Sequence, residues 1–289
     1  MSPPLIFDYN CIEQFRQRAF KRAKKGCDFL LSYVVDDLHK RLNAVNRNFI
    51  LALDLHGHTG LAVQTLKKSG KIGSIERVET NILYQNYDNP FHLRHRELLD
   101  FPQHYCDLIV SLLSLQLTND IPGVLSQIKN ILKPDGLFLA VMTGAGTLRE
   151  LRESLMQAEN EIYGGVSPRI YPFADIRDVG ALLQRVGFAM PVVDVEDITI
   201  RYNSMFDLMR DLKAMGMQNA LLSRSRRPVS KRFFYLADEI YAKKFSDPDG
   251  RIRAHFSFIW LSGWAPDPKQ QKPIPPGSAQ MSLVDFLKK

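Results

Sequence analysis

Ten residues, Leu51 to Gly60 (LALDLHGHTG), restrict the fold more than any other stretch of this chain. An apolar run from Phe49 to Leu55 ends in the acidic-apolar step Asp54-Leu55. A short glycine-containing turn follows, then an apolar-periodic segment from Leu61 to Leu66. The pattern predicts strand, tight turn, helix. In such a unit glycines let the backbone take a positive φ and approach a ligand closely, while the helix N-terminus offers unpaired N–H groups. This turn carries Gly57 and Gly60 and is two glycines short of what a nucleotide-binding loop normally uses.

The rest of the chain alternates in the same way. A basic helix over Cys11 to Lys24 and a second over Cys27 to Leu42 lead into the strand at Phe49. After the helix from Leu61, strands are expected at Ile72 to Val78, more weakly around Phe91 to Leu99, and at Cys106 to Leu115, whose continuous apolar run marks it as buried. Ile121 to Leu132 has apolar residues at helical spacing, and Lys133-Pro134-Asp135-Gly136 is expected to stop that helix and turn into a strand at Leu137 to Met142. Ile176 to Val186 reads as a helix closed by Gly187, followed by a β-branched segment from Pro191 to Tyr202. Two helical stretches, Met205 to Leu222 and Arg232 to Phe245, precede a last strand at Ile252 to Trp264. Repeated strand-helix-strand units imply an α/β fold with a parallel sheet covered on both faces and ligands at the C-terminal strand ends. The two helical stretches form an insertion, residues 203–245, expected to cap that end. Residues 1–265 are read as one domain and the Pro-, Lys- and Gln-rich residues 266–289 as an extension.

Composition narrows the classes. No apolar stretch in the 289 residues approaches the length of a membrane span, and MSPPLIFDYN has neither a basic n-region nor an apolar h-region. A cytoplasmic protein is the expectation. Cys11, Cys27 and Cys106 are widely spaced and odd in number, which points to a reducing compartment rather than a disulfide framework or zinc site. The formal charge of +7 is concentrated in two clusters: Arg16, Arg18, Lys21, Arg22, Lys24 and Lys25, then Arg224, Arg226, Arg227, Lys231 and Arg232. These read as solvated helix faces and a loop, with docking to an acidic protein surface or a polyanion as the alternative. No nucleic-acid reading motif accompanies them, so nucleic acid is not an expected partner.

The order LDL-x-x-x-TG, an acid after the second strand, DLIVSLLSLQLTND and LKPDGLFL resembles the class I S-adenosylmethionine-dependent methyltransferases. More narrowly, Ser167 to Tyr202 (SPRIYPFADIRDVGALLQRVGFAMPVVDVEDITIRY), with FIWLSGWAP and PPGSAQMSL, resembles the complex I assembly factor 5 family and its bacterial relatives. The resemblance runs from Phe7 to Leu283. It implies a Rossmann-like sheet with a helical cap inserted between the last two strands, and S-adenosylmethionine as cofactor. The family's D-x-G-x-G-x-G turn falls on Asp54, His56, Gly57, His58 and Gly60, so histidines stand at the first two glycine positions. A bulky residue held at positive φ costs about 1–3 kcal/mol, which implies weakened cofactor binding unless Gly57 takes over part of the permissive role.

The acid expected to hold the ribose hydroxyls is Glu79, with Glu76 as alternative. The acid expected near the adenine falls at His95, with Glu97 close by. Where the family favours L-H-W, this chain has Leu115, Gln116 and Leu117. A metal is not expected, since His56 and His58 at i and i+2 lack the further partners a zinc site requires. Candidate catalytic residues are Ser114, Gln116 and Asn119 after the fourth strand, with Tyr163, Arg169, Tyr171 and Tyr202 on the substrate side. The implied activity is an S-adenosylmethionine-dependent transferase acting on a protein substrate in respiratory complex I assembly, through methylation or hydroxylation of an arginine. O-methylation of a carrier-bound acyl group is the enzymatic alternative. A degenerate fold kept as an assembly or binding module is the other.

Overall fold

The computed structural model describes residues 5–23, 26–85 and 89–271. Lys24, Lys25, the PPGSAQMSL segment and the end of the C-terminal extension lie outside them. In chain order the elements are α1 (Tyr9–Lys21), α2 (Phe29–Ala44), β1 (Phe49–Leu55), α3 (Leu61–Lys68), β2 (Ile72–Glu79), β3 (Phe91–Leu93), β4 (Cys106–Leu112), α4 (Ile121–Ile131), β5 (Leu132–Thr143), α5 (Arg149–Tyr163), α6 (Ile176–Val186), β6 (Ala189–Tyr202), α7 (Met205–Ala214), α8 (Lys231–Phe245) and β7 (Ile252–Trp264).

The strands form one seven-stranded sheet in the order β3-β2-β1-β4-β5-β7-β6. Strands β1 to β5 are mutually parallel, and β7 runs antiparallel between β5 and β6. One face is covered by α2, α3, α5, α7 and α8, the other by α4 and α6. The central unit follows directly from its sequence. All seven residues of β4 are buried, and α4 turns Val124, Leu125, Ile128 and Ile131 inward at helical spacing. Asp120 caps α4 by accepting the Gly123 N–H at 2.9 Å, and Pro122 sits in the first turn, where its missing N–H loses nothing.

Four expectations about elements are corrected. Lys133-Pro134-Asp135-Gly136 does not separate helix from strand; it lies inside β5, where the pairing with β4 jumps from Cys106↔Leu132 to Leu108↔Leu137. Asp135 takes φ 61° in this bulge, and a Cβ on Gly136 would stand 2.9 Å from the Lys133 carbonyl oxygen. Strand β4 ends at Leu112 because Leu113 turns to φ 50°, and β3 is only three residues long. Helix α7 stops at Ala214, and Gly216 at φ 74° lets α1 approach so closely that a Cβ would lie 3.1 Å from the Arg16 Cα. Helix α5 was not expected at all. Its buried Leu151, Leu155 and Ala158 are helically spaced, but its N-cap is Leu148 in the left-handed region with no side-chain capping bond, so the usual start signal is missing.

Between β6 and β7, α7 leans on α1 while α8 packs along α5. The inserted pair thus splits between the ligand end of the sheet and its flank. Among the described residues no helix is long and apolar enough to cross a membrane.

Candidate functional site

The C-terminal ends of β1, β2, β4 and β5 meet α1 in one crevice, and its two ends are built from different chemistry. At the β2 end, Asp54 and Glu79 are fully buried carboxylates from adjacent strands, and Arg77, 1% exposed, lies between them. Arg77 Nη2 donates to Glu79 Oε1 at 2.9 Å, and Nε lies 3.4 Å from Asp54 Oδ2. The His58 backbone N–H also donates to Glu79 Oε1, at 2.6 Å. Desolvation raises the Asp54 carboxyl and pushes that of Glu79 up to about 7 in spite of Arg16 and Arg77.

His56 and His58 adopt φ 56° and 54°, the left-handed conformation for which the two glycines of a nucleotide-binding turn would be suited. The His56 imidazole is buried and that of His58 half-buried, and desolvation together with the arginine charges holds both well below the usual histidine range, neutral at physiological pH. Gly57 does not take over their permissive role. Its φ is not positive; a glycine is needed there because a Cβ would collide with the Asp54 carboxylate at 2.3 Å. Gly60, at φ 77°, opens α3.

Aromatic rings close this end. Tyr84 and His58 meet edge to face at 4.6 Å between centroids, and Phe20 of α1 packs on both. Helix α1 is bonded to the same strand ends: Arg16 Nη2 donates to the His56 carbonyl at 3.2 Å, and Glu13 accepts from Thr80 and Tyr84 at 2.8 and 2.9 Å. Arg16 was grouped with a solvated basic face, but it is buried. Its spacing from Ile12 and Ala19 puts it on the inward stripe of α1, a signal available in the sequence. Arg77 and Arg96 were also missed. Arg96 is buried and donates to Ser114 Oγ at 3.3 Å, with burial and the Arg16 charge pulling its pKa down to about 10.

At the β4–β5 end the crevice opens into a chamber of about 430 Å³ lined by Arg16, Gly57, His58, Gln116, Thr143 and mainly apolar neighbours from α1, α2 and the segment after α7. Gln116 is 4% exposed, and neither end of its amide has a partner. A second cavity of about 540 Å³ shares Ala19, Gly26, Cys27 and Ala214 with the chamber and carries Arg18, Arg22, Arg210 and Lys213 on its walls.

Of the expected residues, Gly57, His58 and Gln116 line the chamber. Asp54, His56 and Glu79 lie beneath it, and Ser114 faces Arg96. Glu97 is not turned toward the crevice: it accepts from the Tyr9 hydroxyl and, at 2.6 Å, from the Asp120 N–H. Glu76 is used outside, by His92 and Tyr105. His95 accepts from the Glu97 N–H, and Asn119 holds the Phe7 and Ile6 backbone. Arg169 grips Glu159 with two bonds of 3.0 and 2.7 Å and lies 4.5 Å over the Phe233 ring, bordering a small neighbouring cavity instead. Tyr171 bonds the backbone at Gln218 and Ala220, and Tyr163 meets Ser230 at the surface. Tyr202 is buried in the core at the end of β6 and does not line the chamber.

A methyltransferase-domain family model matches residues 27–192. The chain belongs to the methyltransferase-domain family. It is 38% identical over 272 residues to the rat arginine-hydroxylase NDUFAF5, mitochondrial, covering 90% of this chain and 77% of that protein. It is 27% identical to the malonyl-[acyl-carrier protein] O-methyltransferase of Halorhodospira halophila, covering 96% and 94%. The YcgJ protein of Bacillus subtilis has a similar fold, with a TM-score of 0.54 at 15% identity, over 82% of this chain and 99% of that one. The chain is therefore an S-adenosylmethionine-dependent methyltransferase-like protein, a transferase by class. The mitochondrial relatives overturn the expectation of a cytoplasmic protein. That expectation rested on lacking a secretory n-region and h-region, whereas mitochondrial addresses use a different, amphipathic arginine-rich chemistry.

S-adenosylmethionine, the family's cofactor, fits the two ends of the crevice unequally. The open chamber admits an apolar chain with a charged end. The nucleoside end, in this conformation, does not fit: the Glu79 oxygen that faces the turn is already shared by Arg77 and His58, and its other oxygen is sealed from solvent without a partner.

Proposed function

We propose that this chain modifies a protein substrate during respiratory complex I assembly, presenting the acceptor side chain to the chamber beside Gln116, and that it binds S-adenosylmethionine more weakly than relatives with glycines in the first turn. Residues 1–265 act as one unit, with α7 and the residues just after it shielding the crevice and α8 bracing its flank. The kinship with arginine-hydroxylases over nine-tenths of the chain supports the protein substrate. The observation that carries the weakened site is Glu79: the carboxylate that would receive ribose hydroxyls is committed to Arg77 and to the His58 N–H. Cofactor entry requires α1 and the Phe20–His58–Tyr84 cluster to give way and the Arg77 bond to be replaced. Within the chamber the chain's own contribution is positional, with Gln116 on the wall carrying an unpartnered, buried amide.

Titration calorimetry with S-adenosylmethionine tests the site. The His56→Gly, His58→Gly double variant is expected to bind about 5- to 150-fold more tightly than wild type, equivalent to about 1–3 kcal/mol of relieved strain. Tight wild-type binding that glycine does not improve refutes the weakening. Deleting the chain from its own host tests the substrate: assembled complex I should fall and return with wild type but not with Gln116→Leu.

A further inference from the structure

We propose that the cavity between α1 and α7 docks an acidic stretch of a polypeptide partner, an inference that rests on the reading of the substrate as a protein and says which face of the chain receives it. The cavity holds about 540 Å³ and is walled by Arg18 and Arg22 at the end of α1 and by Arg210 and Lys213 at the end of α7. Asp211 is the one carboxylate among its described lining residues. All four cations are exposed. Arg210 lies 2.8 Å from Asp207, whereas Arg18, Arg22 and Lys213 have no carboxylate partner among the described residues.

Like charges three or four residues apart destabilise a helix, and here two such pairs face one recess. Core packing does not force them there, because α1 turns Ile12, Arg16 and Ala19 inward and α7 turns Met205, Leu208 and Leu212. Instead the two helices are drawn together at Gly216, where a Cβ would lie 3.1 Å from the Arg16 Cα. Asp207 and Asp211 answer two of the four cations, and the negative ends of the two helices answer about half a charge each. The positive charge left over raises the local concentration of anions.

The chemistry of the wall selects among anions. A compact phosphate is best held by backbone N–H groups at a helix N-terminus, but α1 and α7 present C-terminal ends, and the start of α2 beside them carries the Asp28 carboxylate. Single-stranded nucleic acid needs aromatic platforms for its bases, and the described lining residues include none. A lipid surface is flat, whereas these cations ring a recess. Carboxylates on flexible side chains, each meeting one mobile cation, suit such a wall. Its position gives the docking a purpose. The cavity shares Ala19, Gly26, Cys27 and Ala214 with the chamber, so a polypeptide held by its acidic residues brings the residues next to them to the chamber.

The test is fluorescence anisotropy of a labelled octaglutamate peptide titrated with the full chain, with oligothymidine and inorganic phosphate as competitors. The peptide is expected to bind one site, more weakly as salt rises. Reversing two cavity cations, Arg22→Glu with Lys213→Glu, should weaken it tenfold or more. Reversing two exposed cations on the last turn of α3, Lys67→Glu with Lys68→Glu, changes the net charge equally and should leave binding within about twofold. Gln116→Leu should also leave it unchanged. Melting curves confirm that each variant is folded. Equal losses in the two reversed variants would reduce the effect to net charge and overturn the proposal. So would several weak sites, oligothymidine binding in preference to the peptide, or displacement of the peptide by phosphate at equal concentration. The same cavity variant, returned to the host, should lower assembled complex I. Peptide binding that depends on the cavity while assembly is unaffected would uphold the docking site and refute the proposed substrate. Loss of assembly in Gln116→Leu without any peptide binding would do the reverse.

Discussion

The two ends of the crevice sit on neighbouring strands of one sheet, yet one is packed with charge and the other is open and apolar. At the β2 end, two carboxylates, Arg77 and a ring of aromatic side chains fill the space that the sequence resemblance assigns to the cofactor's nucleoside. At the β4–β5 end, leucines and methionines surround about 430 Å³ with a few unsatisfied polar groups. Departures from the family pattern therefore do different things in different places. His56 and His58 are tolerated at positive φ because the charged end is over-determined by bonds from α1, β2 and the turn itself. Gln116 lies at the open end with its buried amide unpartnered.

The largest effect is expected from breaking the charged end. Arg77→Met removes the guanidinium paired with both buried acids, Asp54 and Glu79, leaving only the Arg16 charge near Glu79, and should destabilise the fold by about 3–5 kcal/mol in urea denaturation. A loss below about 1 kcal/mol would mean that the two acids are protonated together and that Arg77 is a packing residue.

A second measurement concerns pH. Glu79 has a carboxyl raised from 4.5 to about 7 in the folded state, so the fold prefers its protonated form. That contribution is complete below about pH 4.5 and is lost as pH rises through about 7. Relative to Glu79→Gln, the wild type should lose on the order of 3 kcal/mol across this window. His56 and His58 act in the opposite sense: their depressed values favour the fold above pH 6.5 and withdraw that support as pH falls. The difference curve between wild type and Glu79→Gln isolates the carboxyl, and a flat difference would refute its raised value.

At the open end the sign reverses. Gln116→Leu replaces two partnerless buried atoms with a side chain of similar size, and it should stabilise the protein by about 1 kcal/mol while removing its function. Destabilisation would show that the amide is bonded in solution. The smallest effect lies away from the crevice. Arg169→Lys gives up one arm of a two-armed grip on Glu159 and the stack on Phe233, which should cost about 1 kcal/mol and leave chamber binding unchanged. A change in ligand affinity would draw Arg169 into the site after all.

Legibility followed locality. Strand β1, helix α6 and strand β7 begin and end where the apolar pattern and the glycines place them, since period and capping are properties of a few adjacent residues. Helix α5 escaped because its entry is a left-handed leucine instead of a capping side chain. The LKPDG bulge was read as a boundary because a turn signal does not say whether strand pairing resumes across it. At the site, Asp54, Gly57, Gly60 and Glu79 were recognised by motif, and Arg16 was visible in principle from its spacing to Ile12 and Ala19. Nothing local distinguished Glu97, turned toward Tyr9, from an acid facing a ligand.

The sequence by itself determined the parallel part of the sheet, β1 to β5, the first turn with its two histidines and the kinship with methyltransferases, because hydrophobic period and turn chemistry act over a few residues at a time. Only the tertiary structure decided that Arg77 lies between Asp54 and Glu79, that α1 delivers Arg16 and Phe20 to the strand ends, and that the open space lies beside Gln116 rather than Glu79. Those contacts join residues from separate elements, and a buried charge chooses its partner by geometry and desolvation, which no stretch of sequence contains.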